Sequence, residues 1–206
     1  EDASPDERAR VLQLLGRICA EESSFPDAMA YLRDAFACAT ELHLLGAIQL
    51  DLAFAANGAG DLPEAVRNVR VVRAAAESGD DPGLLADALA MDAMAVSYLG
   101  ECIDGCWQQL ERARALEDRS RPTLLTLRPT ALAAQFAIAE GHVDDAKVLL
   151  HEIVDWAIER GEDSDLPLLL ANFAALEWYR GDGEECGRRA EQAITLCLQI
   201  GNETVL

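Results

Sequence analysis

Lysine is nearly missing from this 206-residue sequence, in which Lys147 is the only lysine among 17 basic residues. Because 37 residues are acidic, the formal net charge is −20 at pH 7. Binding to DNA or RNA relies on basic side chains that release counterions from the phosphates, so this chain is expected to be repelled by nucleic acid. The same charge disfavours docking on an anionic membrane. Its simplest role is to keep a chain rich in alanine and leucine soluble.

Long apolar runs are also missing. A helix needs about 20 consecutive apolar residues to span a bilayer, and the Ala-rich stretch 131–139 is too short and is broken by Gln135. Residues branched at Cβ are few whereas leucine and alanine dominate, which favours helix over strand. Half of the residues are apolar, so the chain can bury a core and is not expected to be disordered.

The sequence has no signal peptide and does not begin with Met, so we expect a cytoplasmic segment excised from a longer protein. The preference for arginine over lysine, together with abundant alanine, indicates a bacterial genome of high GC content. In the reducing cytosol, cysteines within helical patterns are expected to be buried thiols that act as small apolar groups. The six cysteines are Cys19, Cys38, Cys102, Cys106, Cys186 and Cys197.

A turn recurs five times along the chain, at intervals of roughly 40 residues, a spacing found in helical repeat proteins. Glycine at such a turn can take the left-handed conformation that ends a helix, and a following Asp can cap the next helix. Each turn is flanked by helical patterns, which predicts five helix pairs. The turns are Ser23-Ser24-Phe25, Gly60-Asp61-Leu62, Gly100-Glu101-Cys102, Gly141-His142-Val143 and Gly181-Asp182-Gly183.

Small residues stand at fixed offsets on both sides of these turns. Small side chains let two helices approach closely at their crossing point, where a large one would force them apart. The row seven residues before the turn is Gly16, Ala53, Ala93, Ala134 and Ala174, and the row five or six residues after it is Ala28, Ala65, Cys106, Ala146 and Cys186. A third row, mostly small or aliphatic, is Ala35, Val72, Ala113, Ile153 and Ala193.

The patterns predict ten helices and no strand. The helices are expected at about 6–22, 26–43, 45–59, 62–78, 83–99, 102–118, 123–140, 143–160, 165–180 and 183–200. Pro129 lies inside the seventh pattern, so we expect either a kink there or a helix that starts near it. The sequence thus predicts one repeat domain over residues 1–206, with repeats at about 6–43, 45–79, 83–119, 123–161 and 165–201.

The pattern around the turns resembles the tetratricopeptide repeat (TPR). A small residue is followed seven residues later by Gly and then by an acidic residue, and a second small residue stands five residues after the Gly. Ala174, Gly181, Asp182 and Cys186 follow this spacing. The resemblance covers essentially the whole chain, although the period of the family is shorter, at about 34 residues. The longer period resembles the sensor regions of large LuxR-type and maltose-type bacterial transcriptional regulators, which are signal-transduction ATPases. The sequence has neither a phosphate-binding loop nor a basic recognition helix.

The resemblance implies an all-α, right-handed superhelical α-solenoid of about five antiparallel helix pairs, whose first helices line a concave groove. A protein or peptide partner, or a small effector, would bind there. Some of these side chains, among them Phe54, Met94 and Ile138, could instead pack between repeats. The lining implied by the family is Arg10, Gln13, Arg17, Leu50, Phe54, Asn57, Asp87, Met94, Ser97, Tyr98, Arg128, Gln135, Ile138, Leu168, Trp178 and Tyr179.

Residues that could carry catalysis or bind a metal do not converge in the sequence. Cys102 and Cys106 are one helical turn apart, but a structural zinc site needs about four converging ligands. The three histidines lie singly near helix ends or on helix surfaces: His43, His142 and His151. The acidic pairs stand at helix starts, where negative charge favours the helix dipole: Asp80-Asp81, Asp144-Asp145 and Glu184-Glu185. We therefore predict no enzyme, no metal and no cofactor.

Three functions remain open at this level. The chain could be the sensor region of a multidomain transcriptional regulator, or a free-standing scaffold that binds peptide segments of other proteins. Self-association is a third alternative, because the first and last repeats of an array expose apolar faces unless they are capped.

Overall fold

The computed structural model is helical throughout the residues that it describes, which are 3–79, 81–100, 103–121, 123–162 and 165–200. These residues form ten α-helices and one short 3-10 helix, and none of them lies in a strand. This confirms the predicted all-α fold. The helices are α1 (Pro5–Glu21), α2 (Phe25–Cys38), α3 (Leu42–Gly58), α4 (Leu62–Gly79), α5 (Pro82–Tyr98), α6 (Ile103–Leu116), the 3-10 helix (Leu125–Leu127), α7 (Pro129–Ala139), α8 (Val143–Arg160), α9 (Leu166–Tyr179) and α10 (Gly183–Ile200).

Two compact units make up the chain, Glu1–Asp118 and Arg119–Leu206. In the first unit, α1 pairs with α2, α3 with α4 and α5 with α6, and α2 and α4 each pack on the first helix of the next pair. In the second unit, α7 pairs with α8, α9 pairs with α10, and α8 packs on α9. The single repeat domain over 1–206 stays a prediction. No described helix is both long and apolar enough to cross a bilayer.

The predicted turns between paired helices adopt left-handed backbone geometry. Glycine populates this region without steric cost, whereas a residue with a Cβ is disfavoured there by about 1–2 kcal/mol. The first turn uses Ser23 and bears that cost, since its φ is also positive. The φ angles are +59° at Ser23, +80° at Gly60, +75° at Gly100, +78° at Gly141 and +80° at Gly181.

Most small residues predicted at helix crossings are buried, as close packing requires. A Cβ added to Gly16 would lie 2.6 Å from Cγ of Leu32, so α1 and α2 meet where only glycine fits without a shift. The other members of the row before the turns are buried, and so are all those of the row after the turns except Cys186, which is half-buried. Among the cysteine thiols, those of Cys106 and Cys197 are buried.

The predicted boundary between α2 and α3 is wrong by several residues. Helix α2 ends at Cys38 instead of residue 43, and α3 begins at Leu42 instead of residue 45. Asp6, at the start of α1, holds the intervening segment extended. Its carboxylate accepts hydrogen bonds from the backbone N–H of Thr40 at 2.7 Å, from the Thr40 hydroxyl at 2.8 Å and from the backbone N–H of Glu41 at 3.2 Å. Because Asp6 and Thr40 are distant in sequence, local patterns do not reveal this contact.

The seventh helix starts at Pro129, which confirms the second alternative for this proline and corrects the predicted start at 123. The backbone of Arg128 is extended, with ψ at 143°, because a residue before proline is disfavoured in the helical region. The 3-10 helix comes just before it, and the backbone N–H of Leu125 donates to Asp165 at the start of α9. The predicted helix start at 102 and repeat end at 201 lie outside the described residues.

Candidate binding surface

Five residues of the predicted groove lining are buried and do not contribute to an exposed surface, which corrects their assignment. Leu50 and Met94 belong to the apolar core of the first unit because their helices pack on both neighbours. The buried polar residues of the lining include Gln13 and Arg128, whose side chains bind other parts of the fold. The five are Gln13, Leu50, Asp87, Met94 and Arg128.

Gln13 and Arg17 of α1 hold a buried carboxylate on α3. Nε2 of Gln13 donates to Oδ2 of Asp51 at 2.6 Å, and Nε of Arg17 donates to the same oxygen at 2.8 Å. Burial raises the pKa of Asp51, while Arg17 and both hydrogen bonds oppose that rise. Arg10 likewise pairs with Glu41 at the start of α3, at 2.6 Å. Arg10 and Arg17, which were predicted to line the groove, therefore join the first repeat to the second.

Arg128 is buried in the second unit and binds neighbouring residues there. Its guanidinium lies 4.4 Å from the ring centroid of Trp156 on α8, which places it in a cation–π contact. Its Nη2 also donates to the backbone carbonyl of Arg121 at 3.1 Å. A second guanidinium, from Arg160, lies 5.3 Å from the same ring. The predicted ligand contact is thus a buried support for the start of α7.

The remaining lining residues divide by exposure. Five are half-buried, and of these Phe54 packs against the core of the first unit while the Ser97 hydroxyl donates to the Met94 carbonyl at 2.7 Å. The half-buried set is Phe54, Asn57, Ser97, Gln135 and Ile138. Of the paired arginines, Arg17 is also half-buried and Arg10 is exposed. The other exposed residues are Tyr98, Leu168, Trp178 and Tyr179.

Three of the exposed residues lie on one side of α9 and, together with two alanines, form a continuous apolar row. We call this row the α9 stripe; it consists of Leu168, Ala171, Ala175, Trp178 and Tyr179. The spacing of three, four, three and one residues keeps them on one face of the helix. Trp178 is 70% and Tyr179 is 67% exposed. Both alanines were missed by sequence reasoning, which looked for large or polar side chains, although they occupy the same periodic row.

The α9 stripe carries no charge, in a chain of net charge −20. The nearest charged residues, Glu177 of α9 and Arg180 just after its end, are bound to α8. Oε1 of the buried Glu177 accepts from Nζ of Lys147 at 3.0 Å, and Nη1 of Arg180 pairs with Asp144 at 2.9 Å. The stripe spans 11 helical steps, or about 16 Å at 1.5 Å per residue. This is an apolar, aromatic-ended face of the kind through which proteins recognise other proteins.

A second exposed apolar row lies on α1 and was not predicted. We call it the α1 stripe; it consists of Val11, Leu14, Leu15 and Ile18, all of them exposed. Their spacing places them on one face of α1. The opposite face of this helix packs into the first unit through Ala9, Gln13, Gly16 and Ala20.

The acidic and histidine side chains considered for catalysis or metal binding have the following surroundings in the structure. Within the described ranges, no cluster of three or more His, Cys, Asp or Glu side chains is placed to hold a metal ion. Cys102 and Asp80 lie outside those ranges. Nδ1 of His43 lies 2.9 Å from Oδ2 of Asp81, and the ring of His151 packs edge-on against Phe173. The two described acidic pairs stand in the first turns of α8 and α10, where they favour the helix dipole.

No protein-family model matches this sequence, and no curated protein matches it. Several solved structures do match its fold. A variant of the kinesin light chain with nearly identical TPR-like repeats from Podosopora anserina is 20% identical, with a TM-score of 0.60 over 98% of this chain and 99% of that one. BtubC (BKLC) from P. vanneervenii is 17% identical, with a TM-score of 0.61 over 92% of this chain and 80% of that one.

Aspartyl phosphate phosphatase F from Bacillus subtilis is 13% identical, with a TM-score of 0.58 over 95% of this chain. The matched region covers 61% of that protein. Identities at this level establish the fold and leave function to the chemistry of the surface. The helix pairs, their left-handed turns and these likenesses together show that the chain has a TPR-like repeat fold.

Proposed function

We propose that this chain is a non-catalytic protein-interaction domain that binds a helical segment of a partner protein on the α9 stripe. The observation that carries the proposal is the exposure of Trp178 and Tyr179 at one end of an uncharged row. Tryptophan and tyrosine are enriched among the residues that dominate binding energy at interfaces. Their rings combine a large apolar area with a polar group that tolerates water when no partner is bound.

The middle of the stripe favours a helix as the bound segment. Ala171 and Ala175 are one helical turn apart and lie between the bulky ends formed by Leu168 and Trp178. Small side chains in this position let a second helix approach closely, at an interaxial distance of about 8–10 Å. An amphipathic helix with apolar side chains at every third or fourth position would fill the shallow space between the two ends.

The negative charge of this chain indicates which residues the partner carries beside its apolar row. The acidic chain, with a net charge of −20, raises the local concentration of cationic segments and speeds their encounter. We therefore infer an apolar contact row in the partner that is flanked by lysine or arginine. Association should become slower at higher ionic strength, because the interactions that steer it are screened over about 8 Å at physiological salt.

A small effector fits the structure less well. Sites for small molecules are concave and enclose most of the ligand, whereas the α9 stripe lies on one face of a helix. An open depression of about 440 Å³ beside α10 is lined mainly by long polar and charged side chains: Leu170, Arg188, Glu191, Gln192, Thr195, Leu196 and Gln199.

Selection from a displayed library of short helical peptides tests the proposal. Peptides that bind the wild-type chain would be measured by isothermal titration calorimetry against Trp178→Ala and Ala175→Arg. We expect both substitutions to weaken binding by about tenfold or more, since one removes an anchor and the other blocks close approach. Val148→Ala is the matched control, because Val148 is an exposed apolar residue on α8 of the same unit. It should leave affinity unchanged.

Two results would contradict the proposal. The first is a library that yields no binder for the wild-type chain. The second is a set of binders whose affinities do not change in Trp178→Ala and Ala175→Arg. Circular dichroism of each variant checks that the helices are intact.

A narrower proposal is that the chain is the sensor region of a bacterial transcriptional regulator. It is supported by the long repeat period, which resembles that of such sensors. Determining the coding sequence on either side of this segment tests it. The proposal requires an ATPase region and a DNA-binding region in the same gene, and their absence would leave the free-standing scaffold.

A further inference from the structure

Helix α4 carries an excess of positive charge in a strongly acidic chain. Among the ten described helices it is the only one whose charged side chains sum to a positive value, with three arginines against two glutamates. Its buried face packs on α3 and α5. The opposite face contains Arg67, Arg70, Val71 and Ala74, all of them exposed. We call this row the α4 stripe.

The exposure of the α4 stripe follows from the packing of the first unit. Helices α1, α2 and α3 precede α4 in that unit, and α5 and α6 follow it. Because a helix pair is present on each side, the exposed face of α4 is not one on which an adjacent repeat stacks. The spacing of three, one and three residues keeps the stripe on one side of the helix. Since Val71 is 54% exposed, this surface combines apolar area with positive charge.

The two arginines of the α4 stripe are not closely paired with carboxylates. With 37 acidic and 17 basic residues in the chain, an arginine is expected to find an acidic partner. Among the described residues, however, no carboxylate pairs with Arg67. Arg70 makes one long contact, of 3.8 Å between its Nε and Oδ1 of Asp92, whereas Arg73 pairs with the other oxygen of Asp92 at 3.3 Å. The guanidinium groups of Arg67 and Arg70 can therefore bind a carboxylate from another molecule.

The two glutamates of α4 bind arginines of neighbouring helices. Oε1 of Glu64 lies 2.9 Å from Nη2 of Arg33 on α2, and Oε1 of Glu77 lies 3.5 Å from Nη1 of Arg112 on α6. Both glutamates lie outside the α4 stripe, which itself contains no acidic residue. The charge at the stripe is therefore positive, although the charge of the whole chain is negative.

We propose that the α4 stripe binds an acidic helical segment of a partner protein. Carboxylates three or four residues apart on the partner helix would face Arg67 and Arg70, which are themselves three residues apart. Each guanidinium can bind a carboxylate through two parallel hydrogen bonds. An apolar side chain of the partner would cover Val71, and the small Ala74 lets the two helices approach closely. The proposal concerns a different surface from the α9 stripe and does not depend on it.

The net charge of −20 opposes the approach of an acidic segment more than it opposes the bound state. Interactions between exposed charges are largely screened beyond about 8 Å at physiological ionic strength. A carboxylate bound to a guanidinium lies at about 3 Å, where the arginines dominate. The overall charge should therefore slow association, and the arginines should retain the bound segment. Because each exposed charge pair contributes little, we expect the binding to be weak.

Fluorescence anisotropy of a labelled synthetic peptide, titrated with the 206-residue chain at physiological ionic strength, tests the proposal. The probe is a helical peptide of about 18 residues, because shorter isolated helices are marginal in water. It carries glutamates one helical turn apart and leucines beside them. We expect the wild-type chain to bind this peptide about tenfold more tightly than the same peptide with glutamine at every glutamate position. The double variant Arg67→Gln/Arg70→Gln should weaken binding of the glutamate peptide by about tenfold.

Matched variants elsewhere in the chain separate the α4 stripe from overall charge and apolarity. Arg10→Gln removes the same charge from an exposed arginine that already pairs with Glu41, so it should leave affinity unchanged. Val71→Ser should weaken binding by about threefold, whereas Val148→Ser, at an exposed valine of α8, should not. Trp178→Ala should also leave binding of the acidic peptide unchanged, so a failure of this proposal can be distinguished from a failure of the α9 stripe.

Three outcomes would overturn the proposal. The first is a wild-type chain that binds the glutamate peptide no better than the glutamine peptide. The second is an affinity that does not change in Arg67→Gln, a variant that breaks no ion pair within the described residues. The third is a single-stranded DNA oligonucleotide that binds the stripe more tightly than the glutamate peptide, which would assign the arginines to phosphate groups. Circular dichroism shows whether each variant keeps its helices.

Discussion

Replacing Gly16 by alanine separates two opposing effects at one position of α1. In a helix interior, alanine is more favourable than glycine by about 1 kcal/mol, because glycine loses more conformational entropy on folding. At this position, however, the added Cβ would lie 2.6 Å from Cγ and 2.9 Å from Cδ2 of Leu32, and 3.2 Å from the backbone oxygen of Ala28. Leu32 is buried and cannot swing into solvent.

Forcing one extra carbon into a packed core costs about 1–3 kcal/mol. This exceeds the gain in helix propensity, so we expect Gly16→Ala to lower the free energy of unfolding by about 1 kcal/mol. Gly187 provides the matched control, since it also lies inside a helix but a Cβ added there would meet no described atom within 4 Å. Gly187→Ala should raise the free energy of unfolding by about 1 kcal/mol, which separates the two variants by about 2 kcal/mol.

Urea denaturation followed by the helical circular dichroism signal measures both changes. Comparable slopes of the transition in the variants and the wild type would show that the same surface is exposed on unfolding. The reasoning fails if Gly16→Ala stabilises the protein as much as Gly187→Ala does, because the crossing of α1 and α2 would then have room for a side chain.

Two further predictions concern buried carboxylates. Because burial raises the pKa of Asp51, the folded protein takes up this proton at a higher pH than the unfolded chain, whose ordinary value is 3.8. The free energy of unfolding of the wild type should therefore rise, relative to that of Asp51→Asn, as the pH falls through the pKa of Asp51 in the folded protein. If the free energies of unfolding of the two proteins changed in parallel with pH, the prediction would be wrong. Lys147→Met removes one partner of the buried Glu177 carboxylate and leaves the other, Arg180, whose Nε lies 3.3 Å from Oε2 of Glu177. This variant should lower the free energy of unfolding, measured by thermal unfolding, by about 2 kcal/mol. The double variant Lys147→Met/Glu177→Leu should recover most of that loss. If Lys147→Met alone were as stable as the wild type, Arg180 alone would be enough to stabilise the buried carboxylate of Glu177, and the prediction would be wrong.

The repeat could be predicted from the sequence because its determinants are local. A left-handed turn calls for glycine within a few residues of a helix end, and Gly60 and Gly181 show this directly. Close helix crossings call for small side chains at fixed offsets, as at Gly16 and Ala28. Glycine stands at four of the five turns and small side chains flank all five, so even the first turn, where Ser23 replaces glycine, could be identified from its position.

The candidate site could be predicted only in part, because exposure depends on partners that are distant in sequence. Gln13 and Arg17 lie in the expected row, yet both bind Asp51, which belongs to the next helix pair. The same row also contains Trp178 and Tyr179, which are exposed. The sequence pattern does not distinguish a residue that faces solvent from one that binds the next repeat.

The α1 stripe was missed for a related reason. Its residues fit the apolar periodicity of an ordinary amphipathic helix, and a single sequence does not tell which of two apolar faces is buried. That choice depends on where α2 and α3 pack, and they pack on the face that contains Gly16.

The packing of each helix on helices one or two steps along the chain has a kinetic consequence. Neither unit needs to close a long loop before its first stabilising contacts form, and low contact order of this kind is associated with folding in microseconds to milliseconds. Any helix pair can serve as a starting point from which structure spreads to its neighbours.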